Sequence, residues 1–532
     1  MADGLKWPLS SIVYHIYPRS LKDSSSDGIG DLRGIEEKLD YLLELGINAI
    51  WISPIYTSPM ADFGYDVADY RDIDQMFGKM KDFDNLIKKA HDKGIKLMMD
   101  YVPNHTSSQH IWFKEASSSK NNPKRDWYIW ADPKADGSAP NNWKSVFGGS
   151  AWHLDSKTNQ YYLHSFYKDQ PDLNWRNSDL EKAMLDVLRF WLDKGVDGFR
   201  VDAVDWVYKD PLFRDEPRNP NTLEGKHSEY DHILHTRTFG LKETISVMKK
   251  IVKVVKEYEN TFIVAEAHLD LQAIIERYVS IGWRWYQPFN FSLINLPWKA
   301  EIHKQYIDEY DKALGDLYIP CYVLGNHDQH RVGTRIGVKQ ARIAAMLQMT
   351  LRGLPFIYYG EEIGMTDNHI SAEQVQDPYE ILSPKLGLGR DPERTPMQWD
   401  DSKYAGFSDS KPWLPINPNY TSVNVKSEEK DDKSMLSLYK LLIKLKKTNP
   451  VLHEGKYIAL PHPADNVLAF MREKGESKIL VLLNFDDKTK KISLPFKSAK
   501  IICDDTLTDK PGTILDLTDF NLEGNEGYIL QI

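Results

Sequence analysis

The sequence predicts an α/β fold made of eight parallel β/α units. Short apolar runs rich in β-branched and aromatic residues alternate with amphipathic runs, in which apolar residues recur every three or four positions. Eight units suggest a barrel, although an open doubly wound sheet would show the same pattern. The predicted strands cover residues 11–14, 49–52, 96–101, 198–201, 262–265, 286–290, 321–324 and 356–359.

Two long segments interrupt this repeat, and the C-terminal part follows another pattern. Residues 104–172 contain no long helical pattern and are rich in Asn, Ser, Lys and Trp, which predicts a domain inserted after the third strand. Residues 366–430 form a second long insertion, after the eighth strand. The predicted domains are a barrel (1–103 and 173–450), the inserted domain (104–172) and a C-terminal all-β domain (451–532).

Composition excludes several classes of function. The chain has 67 Lys and Arg against 77 Asp and Glu, a net charge of −10, which disfavours nucleic acid and anionic membranes as partners. No apolar run reaches 18 residues, and the first twenty residues show no secretory signal. The two cysteines, Cys321 and Cys503, give no support to a disulfide framework or a cysteine metal site. We therefore expect a cytoplasmic monomer or homodimer that acts on a neutral small molecule.

Ionisable residues lie at the ends of several predicted strands. Arg200 and Asp202 follow the fourth strand, Glu266 the fifth, and His327 and Asp328 the seventh. In a barrel these ends meet at one face, where repulsion between carboxylates raises at least one pKa and provides a proton donor beside a nucleophile. This combination on a neutral substrate is typical of glycoside hydrolysis. Taken singly, each residue has a structural alternative, such as an Arg200–Asp202 ion pair that only holds a loop.

Seven segments together resemble one enzyme family. DYVPNH, GFRVDAVDW, the segment around Glu266 and LGNHD are similar to the four signature regions of the α-amylase family of glycoside hydrolases, in order and spacing. QPDLNW, GIGDLRGI and RDPERTPMQW resemble its oligo-1,6-glucosidase and α-glucosidase branch. The resemblance implies a (β/α)8 TIM barrel with a B domain after strand three and a C-terminal antiparallel β-sandwich. It also implies a retaining, exo-acting α-glucosidase that needs no cofactor for catalysis.

The resemblance assigns catalytic roles to three carboxylates. Asp202 would be the nucleophile that forms a β-glucosyl-enzyme intermediate, and Glu266 the general acid that protonates the leaving oxygen and then activates water. Asp328 would bind the 2- and 3-hydroxyls of the sugar, and Arg200 would keep Asp202 ionised. The chain departs from the family at Ala265, which stands before the acid where glycine is common.

The resemblance also implies contacts to the first sugar and a preference for linkage. His105 and His327 would hydrogen-bond that sugar, with satisfied core histidines as the alternative, and Phe166 would line its site. In relatives, valine after the nucleophile accompanies α-1,6 cleavage, whereas alanine or threonine accompanies α-1,4 cleavage. Ala203 therefore favours maltose, malto-oligosaccharides or sucrose over isomaltose.

Exo action implies a group that holds the terminal glucose. Tyr65 and Asp66 resemble the segment that does so, with an arginine as the partner of the aspartate. The sequence leaves Arg390 and Arg394 equally open as that partner. For Glu393, in the same stretch, a solvated charged loop is the favoured interpretation.

Other outcomes of the same chemistry stay open at this point. A transglucosidase, sucrose isomerase or trehalose synthase would pass glucose from the same intermediate to a sugar acceptor. A non-catalytic scaffold, similar to transporter heavy chains that resemble this family, would need a membrane helix and often lacks the catalytic carboxylates.

A candidate cation loop lies far from these residues in sequence. Oxygen donors alternate around a glycine-permitted turn, as in loops that bind hard cations, which predicts a structural Ca²⁺ or Mg²⁺. A plain Asx-turn loop is the alternative, since a serine stands where the family usually has asparagine. The predicted ligands are Asp23, Ser25, Asp27, Ile29 and Asp31.

Overall fold

A parallel sheet of eight strands forms the centre of the protein, in a computed structural model that describes residues 11–223, 226–282, 286–384 and 386–532. Residues 1–10, which include half of the segment expected to lack a secretory signal, lie outside the described residues. Numbered along the chain, the strands follow one another across the sheet in the order six, five, four, three, two, one, eight, seven. They are Val13–Ile16, Ala49–Ile52, Lys96–Tyr101, Gly198–Val201, Phe262–Ala267, Tyr286–Asn290, Cys321–Val323 and Leu354–Tyr358.

The neighbours of the first, sixth and seventh strands show that this sheet closes into a barrel. The first strand pairs in parallel with both the second and the eighth, with Val13 opposite Ala49 and Phe356. The sixth and seventh strands, at the two ends of the order, lie side by side. The predicted (β/α)8 fold is confirmed, and the open doubly wound alternative is excluded. Buried side chains fill the barrel interior, among them Trp51, Met98, Val264, Phe289, Cys321, Val323 and Phe356.

Amphipathic helices surround the barrel and bury their apolar sides. Residues 32–45 form two helices, Leu32–Glu37 and Leu39–Leu45, because Lys38 leaves the helical conformation with φ −98° and ψ 2°. The α-helices of ten or more residues are Met80–Asp92, Ser178–Asp193, Thr244–Val255, Leu271–Ile281, Ala300–Leu314, Val338–Thr350 and Met435–Thr448. Shorter α-helices are Pro18–Leu21, Ile111–Ala116, Ser292–Asn295, Val332–Ile336, Pro378–Leu382, Val425–Glu428 and Pro450–Glu454. In the part of the chain that the structure describes, no helix combines the length and apolarity needed to cross a membrane.

The remaining strands form small antiparallel sheets outside the barrel. Between the third and fourth barrel strands, Trp130–Ala131, Gln160–Leu163 and Trp152–Asp155 form one sheet in that order. The short strands Tyr56–Thr57 and Asp69–Ile73 pair near the carboxyl end of the second barrel strand. The C-terminal part has a six-stranded sheet and a two-stranded sheet around a core of its own. Their strands are Lys456–Ala459, Val467–Lys474, Ser477–Asn484, Gly527–Gln531, Ser498–Asp504 and Ile514–Asp516, with the pair Lys490–Ile492 and Phe520–Leu522.

A buried lysine lies where the barrel meets the C-terminal sheets. Lys446 is 4% exposed, and its ammonium group donates to the Leu351 carbonyl. Arg472, from the C-terminal sheet, donates to the Thr350 carbonyl at 2.6 Å. Burial, assisted by the charge of Arg472, lowers the pKa of Lys446 well below its ordinary value of 10.5. The protein therefore has to desolvate or deprotonate this side chain when it folds.

We expect Lys446→Met to raise the free energy of unfolding near pH 7 by about 1–3 kcal/mol, because a methionine needs neither step. The folded state binds fewer protons than the unfolded chain below pH 10.5, so the stability of the wild type should rise with pH towards that value. The stability of the variant should not show this contribution to the rise with pH. Urea unfolding at several pH values, with the exposed Lys444→Met as control, measures both effects. A variant less stable than the wild type at pH 7 would contradict this interpretation.

Candidate active site

A cavity of about 690 Å³ opens at the carboxyl ends of the barrel strands. The strand register explains why catalytic groups meet there, since Val201 lies opposite both Tyr101 and Ala265. Asp202 and Glu266 each follow one of these paired residues. The sequence-predicted site residues that line the cavity are Tyr65, His105, Phe166, Asp202, Ala203, Glu266, His327, Asp328 and Arg390.

Arg200 has no exposed surface and contacts three carboxylates at this cavity. Its Nη1 lies 2.7 Å from Asp202 Oδ1 and 2.8 Å from Asp100 Oδ1, and its Nη2 contacts Glu266 Oε1. The Ala203 amide donates to Glu266 Oε2 at 2.9 Å. Burial raises the pKa of Asp202 well above its ordinary value and that of Asp100 to about 6, and in both cases the Arg200 guanidinium opposes this effect. The ionised form of Asp202 therefore depends on Arg200.

Asp328 lies among cationic groups and is held in the charged state. Its Oδ1 is 2.8 Å from Arg394 Nη2 and 3.2 Å from Arg390 Nη1. Although burial raises the pKa of Asp328, the charges of the neighbouring Arg390 and Arg394 hold it far below the ordinary value. Arg394 also donates to the His327 carbonyl at 2.7 Å, so it fixes the backbone next to Asp328.

His105 and His327 are both buried and both reach the cavity. Burial lowers the pKa of His105 to about 4 and that of His327 well below its ordinary value, so both imidazoles are neutral near pH 7. His327 Nε2 lies 2.7 Å from the Tyr65 hydroxyl, and His105 Nε2 lies 3.1 Å from the Gln170 side-chain amide. A neutral imidazole has one donor and one acceptor nitrogen, which suits the recognition of hydroxyl groups.

The arginine that pairs with an aspartate from the loop after the second barrel strand is Arg390. Its Nη2 lies 2.8 Å from Asp62 Oδ1 and 2.7 Å from Asp377 Oδ1. Asp62 and Arg390 both line the cavity, and the Gln170 amide donates to the second Asp62 oxygen at 3.0 Å. Arg394 pairs with Asp328 instead. The structure thus places Asp62 in the position for which the sequence favoured Asp66.

The prediction for Asp66 is therefore wrong, and its hydrogen bonds show the reason. Asp66 has no exposed surface and does not line the cavity. Its carboxylate accepts hydrogen bonds from the Ser58 hydroxyl and from the Ala61 and Asp62 amides, each at 2.9 Å. These bonds fold the loop so that Asp62 faces the cavity, and Gly64 permits the fold with φ +105°. Two aspartates four residues apart in an irregular loop offer no periodic pattern that would distinguish them.

Sequence reasoning also missed much of the cavity entrance. Glu393 is buried, with 1% of its surface exposed, so the interpretation as a solvated loop residue is wrong. It lies in the short 3-10 turn Pro392–Arg394, and the turn carries it inward together with Arg394. Aromatic side chains extend the wall next to Phe166, whose ring centre lies 5.1 Å from that of Trp206. Further lining residues that were not predicted are Phe147, Tyr230, His235, Phe239, His268, His330 and Tyr379.

The carboxylates of the candidate cation loop accept hydrogen bonds from nearby backbone amides. Asp23 accepts hydrogen bonds from the Ser25 and Gly28 amides at 2.8 Å, and Asp31 caps the helix Leu32–Glu37 through the Gly34 amide at 2.7 Å. The donor set suits Ca²⁺ or Mg²⁺ in charge, but its carboxylates do not form a cluster within 4.8 Å of one another. As placed, the residues fit an Asx-turn loop better, and the cation stays a prediction.

Comparison with known proteins identifies the family. A family model described as the catalytic domain of α-amylase matches residues 15–455. The chain belongs to the α-amylase family. It is a glycoside hydrolase, as its strand-end carboxylates indicate. This member of the family is 42% identical over 495 residues to an α-glucosidase of Apis mellifera, across 91% of this chain and 86% of that protein.

Two further relatives extend the comparison to the whole chain. An oligo-1,6-glucosidase of Parageobacillus thermoglucosidasius is 38% identical over 540 residues, across 92% of each protein. The crystal structure of an α-glucosyl transfer enzyme superposes on this α-amylase-family member with a TM-score of 0.92 and 36% identity, across 99% of each chain. Hydrolases and a transferase are thus both similar to this chain.

We expect Asp62→Asn to impair catalysis and Asp66→Asn to impair stability. Asp62→Asn removes a charge that contacts Arg390 in the cavity wall, and loss of one partner of a buried pair costs about 2 kcal/mol or more, or about a 30-fold loss of kcat/KM. Asp66→Asn should lower the melting temperature while KM stays within about threefold, since Asp66 lies behind the wall. Kinetics on 4-nitrophenyl α-glucoside and thermal melts separate the two. A larger change in KM for Asp66→Asn than for Asp62→Asn would restore the original prediction.

Proposed function

We propose that the protein is a retaining, exo-acting α-glucosidase that releases glucose from the non-reducing end of short α-glucosides. The observation that carries this proposal is the Asp62–Arg390 pair in the wall of the cavity where Asp202, Glu266 and Asp328 meet. A wall formed by an ion pair limits the depth of the cavity, so a chain end fits and a chain interior does not. The similarity to an α-glucosidase and an oligo-1,6-glucosidase supports the same class.

The shared guanidinium supports retention of configuration. Asp202 and Glu266 contact Nη1 and Nη2 of the same Arg200, which keeps the two carboxyl groups close together. Retaining glycosidases have their carboxyls about 5–5.5 Å apart, whereas inverting enzymes leave about 6.5–9.5 Å for a water molecule. Asp202 would attack the anomeric carbon as the glycosidic bond breaks, and Glu266 would protonate the departing oxygen. Glu266 would then take a proton from the water that attacks the glucosyl-enzyme ester.

The remaining wall would hold the glucose ring. Asp328, ionised between two arginines, would accept hydrogen bonds from the 2- and 3-hydroxyls. Neutral His105 and His327 would bond other hydroxyls without adding positive charge beside an oxocarbenium-like transition state. Phe166 would cover an apolar face of the sugar.

Asp202→Ala should abolish glucosyl release while the fold stays intact, because no nucleophile remains. Glu266→Gln should lose about 10²–10⁴-fold in turnover of maltose, whose alcohol leaving group needs a proton. The same variant should lose far less on 4-nitrophenyl α-glucoside in the first, bond-breaking step, because nitrophenolate leaves without a proton. Burst kinetics on both substrates measure this difference. Equal losses on the two substrates would show that Glu266 is not the general acid. An Asp202→Ala variant that still turns over substrate would contradict the covalent mechanism.

A second candidate function keeps the intermediate and changes the acceptor. The 99% coverage by an α-glucosyl transfer enzyme favours this possibility over unrelated functions, and sucrose isomerase or trehalose synthase activity would use the same intermediate. Hydrolysis predicts free glucose as the dominant product from maltose and sucrose, whereas transfer predicts new oligosaccharides or isomers. Initial rates and product analysis on maltose, sucrose, isomaltose and trehalose decide between them.

Because Ala203 follows the nucleophile, we expect maltose and sucrose to react faster than isomaltose; the reverse order would contradict the linkage proposal.

Several wider expectations stay predictions. Maltose, malto-oligosaccharides and sucrose are neutral, in keeping with a cavity that uses neutral histidines and aromatic walls. Cytoplasmic residence, a monomeric or homodimeric state, the absence of a catalytic cofactor and the Ca²⁺ or Mg²⁺ loop are proposed on the sequence alone.

A further inference from the structure

Three side chains that can bind a metal meet at the entrance of the cavity. His330 follows the seventh barrel strand, whereas Asp367 and Glu393 belong to the insertion after the eighth. One ligand atom from each lies within 4.8 Å of the other two, and within the described ranges no other group of three or more His, Cys, Asp and Glu residues does so. His330 Nδ1 is 2.7 Å from Asp367 Oδ2 and 3.6 Å from Glu393 Oε2.

Glu393 has an oxygen without a hydrogen bond. Its side chain is 2% exposed, and Oε2 makes no hydrogen bond to any residue that the structure describes. The imidazole of His330, at 3.6 Å, is the ion-pair partner that this oxygen faces. A buried carboxylate oxygen without a donor is costly, so this position has a use for a cation.

Two nearby arginines, Arg394 and Arg335, direct their guanidinium groups elsewhere. Arg394 directs Nη2 to Asp328 and Nε to the His327 carbonyl. Arg335 directs its guanidinium to the carbonyls of His330, Ile294 and Leu324.

The other two members are held from outside the cluster. The Gly387 carbonyl accepts a hydrogen bond from the His330 imidazole, and the Arg331 amide donates to Asp367 Oδ1 at 2.8 Å. Ligating histidines and carboxylates in metal sites are commonly oriented by such outer bonds. His330 Nδ1 and Asp367 Oδ2 thus face each other and Glu393, with about half of the His330 side chain open to solvent as an entry path.

We propose that His330, Asp367 and Glu393 bind one divalent transition-metal ion, Zn²⁺ or a close equivalent, at the cavity entrance. One imidazole nitrogen and two carboxylate oxygens are ligands that zinc accepts at about 2.0–2.2 Å, with water in the open position. Ca²⁺ and Mg²⁺ prefer all-oxygen sites, so this site differs in chemistry from the predicted loop at 23–31. Because His330 and Glu393 line the cavity close to Asp328, the bound ion would stand where a glucoside enters and would inhibit its turnover.

Calorimetric titration tests the site without any substrate. The full-length protein is stripped with a chelator and titrated with ZnCl2 near neutral pH, with excess CaCl2 present to fill all-oxygen sites. We expect one bound ion, at least tenfold weaker binding in His330→Ala, and wild-type binding in His369→Ala, which removes an exposed histidine of the same insertion. Absence of binding, or equal affinity in the wild type and His330→Ala, would overturn the proposal.

Two more measurements guard against indirect effects. Asp367→Asn keeps an oxygen for the Arg331 amide and should also weaken Zn²⁺ binding at least tenfold, with a thermal melt to show that the variant is folded. In kinetics on 4-nitrophenyl α-glucoside, the Zn²⁺ concentration for half-inhibition should rise at least tenfold in His330→Ala. Equal inhibition of both proteins would contradict the inhibitory role. Binding is measured separately from turnover, so a failure of the proposed glucosidase activity would leave the metal site standing.

Discussion

The contact of one buried guanidinium with three carboxylates is the interaction on which the catalytic geometry depends. Arg200 has no exposed surface, and Asp100, Asp202 and Glu266 all reach it from neighbouring strand ends. Burial raises the pKa of Asp100 and of Asp202, and the guanidinium opposes this rise. The guanidinium also fixes the strand ends side by side, and three carboxyl groups surround this one cation. Such a site suits a reaction in which the substrate develops positive charge, as the proposed glycosyl transfer does.

A second guanidinium connects segments that are distant in the chain. Arg390 contacts Asp62 after the second barrel strand, Asp328 after the seventh, and Asp377 in the insertion after the eighth. The insertion is therefore part of the cavity wall, although it is irregular and contains only short helices. Because Asp328 keeps its charge only beside Arg390 and Arg394, the position of this insertion and the ionisation of the site are physically coupled. The proposed metal ligands Asp367 and Glu393 lie in the same insertion.

The parts that sequence reasoning predicted well are those set by periodicity. Four of the predicted strands coincide with the observed ones, three more share at least three residues with theirs, and the first is shifted by two. This agreement arises because the alternation of apolar runs indicates which backbone segments are buried. Asp202, Glu266 and Asp328 lie at such strand ends, so the barrel alone brings them together. Asp62 and Glu393 lie in loops, where the direction of a side chain depends on hydrogen bonds such as those accepted by Asp66. Local sequence patterns do not indicate those bonds, and the predictions for Asp66 and Glu393 were wrong for that reason.

The sequence by itself determined the number of β/α units, the carboxylates that end them, and the family to which their motifs belong. Only the tertiary structure decided that the sheet closes, that Arg390 rather than Arg394 pairs with the loop after the second strand, and that Asp62 is its partner there. It also brought His330 to Asp367 and Glu393. The physical reason is common to all of these: each depends on a contact between segments far apart in the chain, whose geometry arises from packing and charge rather than from the pattern of neighbouring residues.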